Sequence, residues 1–155
     1  MLRVTKLTDY ATVVMTVLAA EPGRVHSATE LADRAHLEPP TVSKLLKPLA
    51  QAGLVEGFRG ANGGYRLARD AAEITLADVV EALEGPIGMT ECSSADGQCG
   101  IEHNCGVRAN WRRINDVVAD ALRGVSIADM VGPPAPPATA AGPGTKSIPL
   151  RLAAG

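Results

Sequence analysis

The sequence predicts a mainly α-helical chain with one small β-hairpin and a long C-terminal helix, and three observations predict it. Aromatic residues make up 3% of a chain that is 46% hydrophobic, so Ala, Leu and Val must pack the core, which suits close helices. Apolar residues recur at helical spacing in several stretches that end on Gly or Pro. The run Arg59-Gly60-Ala61-Asn62-Gly63-Gly64 separates two short apolar segments, as a hairpin turn does.

The elements follow in order. Leu2–Leu7 is a short extended or frayed start carrying Arg3 and Lys6. Thr8 is placed to cap a helix from about Asp9 to Ala20, with Val13, Val14, Val17 and Leu18 at helical spacing. Asp9 falls in its first turn, where the helix dipole favours a carboxylate. Pro22 and Gly23 end it. Ser27-Ala28-Thr29-Glu30 reads as a capping box opening a helix to about Ala35. His36 and Leu37 make the turn. Pro39 and Pro40 open a third helix, since a first-turn proline loses no hydrogen bond. Val42, Leu45, Leu46 and Leu49 face inward, and Thr41, Ser43, Lys44 and Lys47 take polar positions. Pro48 lies inside the pattern as a possible kink, and Gly53 caps the end.

Two short helices, the second polar and basic on its outer face, form a helix-turn-helix pattern. Leu54–Phe58 and Tyr65–Ala68 then supply the hairpin, which turns the pattern into a winged helix. Thr41, Ser43, Lys44 and Lys47 are the candidate recognition-helix contacts to DNA, and Arg59 and Arg66 the candidate wing contacts. Arginine on a thin Gly-rich loop can enter a narrow minor groove. A solvated hairpin with ordinary surface charge is the plainer alternative.

Thr75 caps a further helix through about Glu84, with Asp78 as its capping partner and Gly85-Pro86 as its stop. A long helix runs from about Arg108 to Leu122. Trp111, Ile114, Val117, Val118, Ala121 and Leu122 give it an apolar stripe broad enough to pair with a partner helix, although Trp111 could equally belong to an ordinary core. Ser126–Val131 makes one more short turn of helix. From Gly132 the chain is rich in Pro, Ala and Gly and reads as a disordered tail.

Between the fourth helix and the long one lie the only cysteines, Cys92, Cys99 and Cys105, spaced C-x6-C and C-x5-C among Gly97, Gly100 and Gly106. An odd number of thiols leaves one over from any disulfide framework. Met1–Ala20 mixes charges with apolar residues and lacks the continuous apolar core of a secretory leader. A reducing cytoplasm is therefore expected, where clustered cysteines bind metal or do redox chemistry. No C-x2-C pair is present, which argues against a zinc ribbon or a thioredoxin-type dithiol. Thiolates suit zinc and iron–sulfur clusters alike, and a thiol redox switch stays open.

The formal net charge is -2, so any DNA-binding surface must be local. No apolar stretch is long enough for a bilayer, and no phosphate loop, nucleophile elbow or paired acid–base arrangement points to an enzyme.

Leu7-Thr8-Asp9-Tyr10-Ala11, the wing Arg59-Gly60-x-x-Gly63-Gly64-Tyr65-x-Leu67-Ala68, Leu83-Glu84-Gly85 and the three spaced cysteines resemble the bacterial winged-helix iron–sulfur regulators that include IscR, NsrR and the SUF-operon regulators. The resemblance spans roughly residues 1–131. Its nearest branch is the SUF regulators, on Leu7–Val13 and on Cys105-x-Val107-Arg108-Ala109-Asn110-Trp111. It implies a homodimer on a pseudo-palindromic operator, regulating cluster-assembly (SUF) genes with repression the expected sign. It also implies a [2Fe–2S] or [4Fe–4S] cluster on Cys92, Cys99 and Cys105. The histidine that follows the third cysteine in the IscR branch is replaced here by Arg108. Asp9 matches the aspartate that completes the cluster across the dimer in NsrR-like members; His103, water or a small thiol are the rivals. The alternative is a zinc-bound or thiol-based redox switch on the same scaffold, answering oxidative or nitrosative stress.

The expected organisation is a winged helix-turn-helix over 1–84, a cysteine loop over 85–107, a dimerisation helix with a short terminal helix over 108–131, and a tail over 132–155.

Overall fold

The computed structural model describes residues 4–90 and 105–132. Cys92, Cys99, His103, most of the expected cysteine loop and the tail beyond residue 132 lie outside them. Six helices and one hairpin follow in the order α1 (Lys6–Ala19), α2 (Ala28–Ala35), α3 (Pro39–Gln51), β1 (Val55–Phe58), β2 (Gly64–Leu67), α4 (Leu76–Glu84), α5 (Arg108–Arg123) and α6 (Ile127–Val131). Among the described residues the mainly helical class with a single hairpin is therefore observed.

Helix α1 is the hub. It packs against α2, α3, α4, α6 and strand β2. Ala11, Val14, Met15 and Leu18 are buried on it and meet Leu31 of α2 and Leu45, Leu46 and Leu49 of α3. Burying a leucine or methionine side chain of this kind is worth about 1.5–3 kcal/mol. Val13, one of the apolar positions at helical spacing, is 38% exposed.

The N-terminus of α1 differs from the sequence expectation. Thr5 rather than Thr8 is the cap, and its hydroxyl accepts from the Thr8 N–H at 3.4 Å. Thr8 is the third residue of the helix, 1% exposed, and its hydroxyl donates to Glu84 Oε1 at 2.6 Å. Asp9 stays in the first turn.

Ser27 caps α2 through the Glu30 N–H at 3.1 Å. Only half of the expected box is visible, because the Glu30 carboxylate accepts from Arg24 at 2.6 Å. In α3 the Pro39 and Pro40 positions carry no N–H, and the next two amides, Thr41 and Val42, both donate to Glu38 O. Pro48 is accommodated within the helix. Thr75 and Asp78 form the expected capping box on α4, and Ser126 and Asp129 form another on α6.

Strands β1 and β2 pair antiparallel, with Val55 opposite Leu67, Glu56 opposite Arg66, Gly57 opposite Tyr65 and Phe58 opposite Gly64. A third strand position is added by His26. Its N–H donates to Tyr65 O at 2.9 Å, and its carbonyl accepts from Tyr65 N–H at 2.7 Å. A Cβ on Gly64 would lie 2.2 Å from His26 O, so this close approach needs glycine.

Candidate nucleic-acid interface and cysteine segment

The third helix buries Val42, Leu45, Leu46 and Leu49 and leaves Ser43, Lys44 and Lys47 exposed on the other side. Thr41 is half-buried at its start. Four of the residues expected to read DNA therefore sit on one helix, and three face water. Neither lysine has an ion-pair partner among the described residues.

The two wing arginines are in different states. Arg59 lies exposed at the tip and makes no hydrogen bond or ion pair with the described residues. The tip is tightly formed: Gly63 N–H donates to Gly60 O at 3.0 Å, and a Cβ on Gly63 would lie 2.5 Å from Phe58 O. Arg66 is half-buried. Its Nε donates to Glu56 directly across the hairpin, and its guanidinium lies 4.8 Å from the centroid of the Phe58 ring.

Behind the wing is a cluster that the sequence did not reveal. His26 is fully buried, with Nε2 3.4 Å from Glu21 Oε2 and Nδ1 3.3 Å from Glu30 Oε1. Arg24 and Arg34 close the ring of charges on Glu21. The Arg34 guanidinium holds the Glu21 carboxyl below the usual range. These five residues tie the segment before α2 to α2 itself, while the His26 backbone ties both to the wing. Only Ser27–Glu30 carried a local signal; the rest depends on chain segments meeting in space.

At the other end of the domain, Glu84 closes α4 and reaches back to α1. Its Oε1 accepts from Thr5 N–H at 2.9 Å as well as from Thr8. Those two donors hold its carboxyl below the ordinary value, with the Thr8 hydroxyl the larger cause. The chain then enters the cysteine segment, and Met89 N–H donates to Asn115 Oδ1 of α5 at 3.1 Å. The segment is thus clamped to α1 and α5 where it begins. Where it ends, Cys105 is half-buried and outside any disulfide among the described residues. Asp9 is exposed, and its carboxylate has no hydrogen-bond or ion-pair partner among the described residues. It borders an open depression of about 430 Å3 lined also by Val4, Thr12, Val80 and Leu122. Among the described residues no three His, Cys, Asp or Glu side chains converge as a metal site.

Helix α5 is 16 residues long but buries only Asn115 and Ala119. Its apolar residues Trp111, Ile114 and Val117 are 37%, 43% and 63% exposed. Among the described residues Trp111 is therefore not a core residue. Among the described residues no helix is long and apolar enough to cross a membrane.

Recognition helix, wing and supporting α1 together define a winged helix-turn-helix protein of the DNA-binding class. The family profile Rrf2, described as an iron-dependent transcriptional regulator, matches residues 4–133. The chain belongs to the Rrf2 family of transcriptional regulators, which are DNA-binding proteins rather than enzymes. It is 38% identical over 131 residues to protein aau3 of Rhizobium meliloti, covering 84% of this chain and 85% of that one. It is 30% identical to the HTH-type transcriptional regulator IscR of Photorhabdus laumondii, covering 84% of this chain and 79% of the relative. Among solved structures, CymR, the global cysteine regulator of B. subtilis, superposes with a TM-score of 0.66 at 30% identity, over 84% of this chain and 97% of that one.

Proposed function

We propose that this chain is a homodimeric, cytoplasmic regulator that senses an iron–sulfur cluster and controls cluster-assembly (SUF) genes, with repression as the expected sign. The observation that carries the reading is the placement of three cysteines in the one connection between α4 and α5, whose entry is pinned to the hub helix of the DNA-binding domain.

The residues present fit a [2Fe–2S] or [4Fe–4S] group. Cys92, Cys99 and Cys105 supply soft thiolate donors. The half-buried Cys105 is held beside the start of α5. Asp9 offers an exposed, uncommitted carboxylate from the first turn of α1, suited to reach across a dimer as the fourth donor. An iron–sulfur cluster, when bound, supplies an oxidant-labile and iron-dependent centre. The rest belongs to the chain. With a cluster bound, Asp9 would be the harder and more exchangeable donor beside the three thiolates. Glu84 links the foot of the cysteine segment to Thr5 and Thr8. A change in that segment is therefore felt by the helix on which α2 and α3 pack. Differential stability of the two arrangements is what shifts operator affinity. Lys44, Lys47 and Arg59 would carry the phosphate and groove contacts, with Thr41 and Ser43 toward base edges.

Anaerobic purification tests this directly. Brown protein with iron and acid-labile sulfide, lost on Cys105→Ala and spectrally altered by Asp9→Ala, is the expected result. An unchanged spectrum in Asp9→Ala removes that residue from the ligand set. The likeness to CymR favours one second reading, a zinc-bound or thiol-based switch on the same scaffold. Colourless protein containing zinc, or metal-free protein whose DNA affinity changes when its thiols are oxidised, would support that reading instead.

A further inference from the structure

We propose that the wing reads DNA with a single arginine, Arg59, and that Arg66 is a positioning residue whose charge is already spent inside the hairpin. Glu56 and Arg66 stand opposite one another in the register, so their side chains emerge on the same face of the ribbon. Phe58 lies two residues along from Glu56 and therefore shares that face. The guanidinium binds the Glu56 carboxylate through Nε and covers the Phe58 ring at 4.8 Å. A guanidinium so placed gives its Nε to a carboxylate and its flat face to an aromatic ring. The Glu56 carboxylate beside it offsets its charge and repels an approaching phosphate. The next residue after Phe58 is Arg59, exposed and without a partner among the described residues.

The arrangement divides the labour. Glu56 cancels the Arg66 charge, and the stack fixes Phe58. The backbone of Phe58 in turn abuts Gly63 across the turn, where a Cβ on Gly63 would lie 2.5 Å from Phe58 O. The tip that carries Arg59 is thereby held in one shape. A pre-shaped tip loses less conformational freedom on binding than a loose one.

Salt dependence separates a DNA-contacting charge from a positioning one, because each neutralised phosphate contributes about 0.9 to the slope of log K against log salt. The probe is a 30-base-pair duplex selected from a random pool by the unmodified protein, followed by fluorescence anisotropy between low and moderate salt. The Glu56→Gln/Arg66→Gln double variant removes the ion pair without changing net charge. It is expected to bind roughly threefold to tenfold more weakly with its slope unchanged. Arg59→Gln is expected to lower the slope by about 0.9. Phe58→Leu keeps every charge and removes only the ring; it should weaken binding as the double variant does, again at constant slope. Circular dichroism and the thermal midpoint confirm that each variant is folded. A slope lowered by about 0.9 in the double variant, an unchanged slope in Arg59→Gln, or full affinity in Phe58→Leu would each overturn the assignment.

Discussion

A carboxylate in the last turn of a helix faces the negative end of the dipole, and Glu84 occupies that place in α4. It is kept there by the Thr8 hydroxyl and the Thr5 N–H, two donors from the opposite end of α1. Both favour the charged form and hold the Glu84 carboxyl below the ordinary glutamate value of 4.5. Folding thus lowers this pKa. The stabilisation is present above the unfolded value and disappears as pH falls through the folded one. Glu84→Gln keeps an acceptor but loses the charge. It should unfold at lower urea concentration at pH 7, by about 1 kcal/mol, a figure at the low end for charge-assisted bonds because Glu84 is solvent-exposed. The difference between the two proteins should shrink as pH falls below 4.5 and vanish only below the lowered folded pKa, where the native carboxyl is protonated. A difference that persists into acid would mean that shape, not charge, sets the contribution.

Among the elements, those that signal themselves locally were legible in the sequence. The capping box of Thr75 and Asp78, the inward leucines of α3 and the Gly-rich turn of the wing all state their structure within a few residues. Boundaries decided by distant partners were not legible. Thr8 has the chemistry of a cap, but Glu84, 76 residues away, claims its hydroxyl, and the cap moves to Thr5. The same holds for the wing. Alternation gives two strands, yet the third position comes from His26, a residue with no strand neighbours of its own. That bridge makes the hairpin part of the domain rather than an appendage, and Gly64 is its weak point. Gly64→Ala would put a methyl group 2.2 Å from the His26 carbonyl, against backbone that cannot rotate away. The expected cost is about 2–3 kcal/mol, the upper range for overpacking, seen as a lower thermal midpoint. Loss of DNA affinity should accompany it, since Arg59 rides on the displaced wing. Of the three cysteines expected to hold a metal, only Cys105 lies among the described residues.

At the scale of the whole molecule, α5 poses the remaining question of area. A helix of 16 residues that buries two side chains leaves its apolar stripe in water, with Ile114 and Val117 beside an open depression of about 350 Å3. Such a stripe in a DNA-binding domain argues for a second copy of the chain, because two recognition helices spaced by a two-fold axis match two half-sites. A charge at its centre should separate the copies: Val117 is 63% exposed within the protomer, so Val117→Glu costs the monomer's own fold little. The expected outcome is a halved mass by light scattering, with the thermal midpoint nearly intact and DNA binding much weakened. Trp111, the only tryptophan, lies on the same stripe and gives an independent reading. If the stripe is the interface, wild-type emission should move to longer wavelength on dilution as the indole meets water. Val117→Glu should show the long-wavelength emission at every concentration. Wild-type emission that does not change with concentration, together with an unaltered mass in the variant, would place the partner of α5 elsewhere, and the reach of Asp9 across the dimer would fall with it.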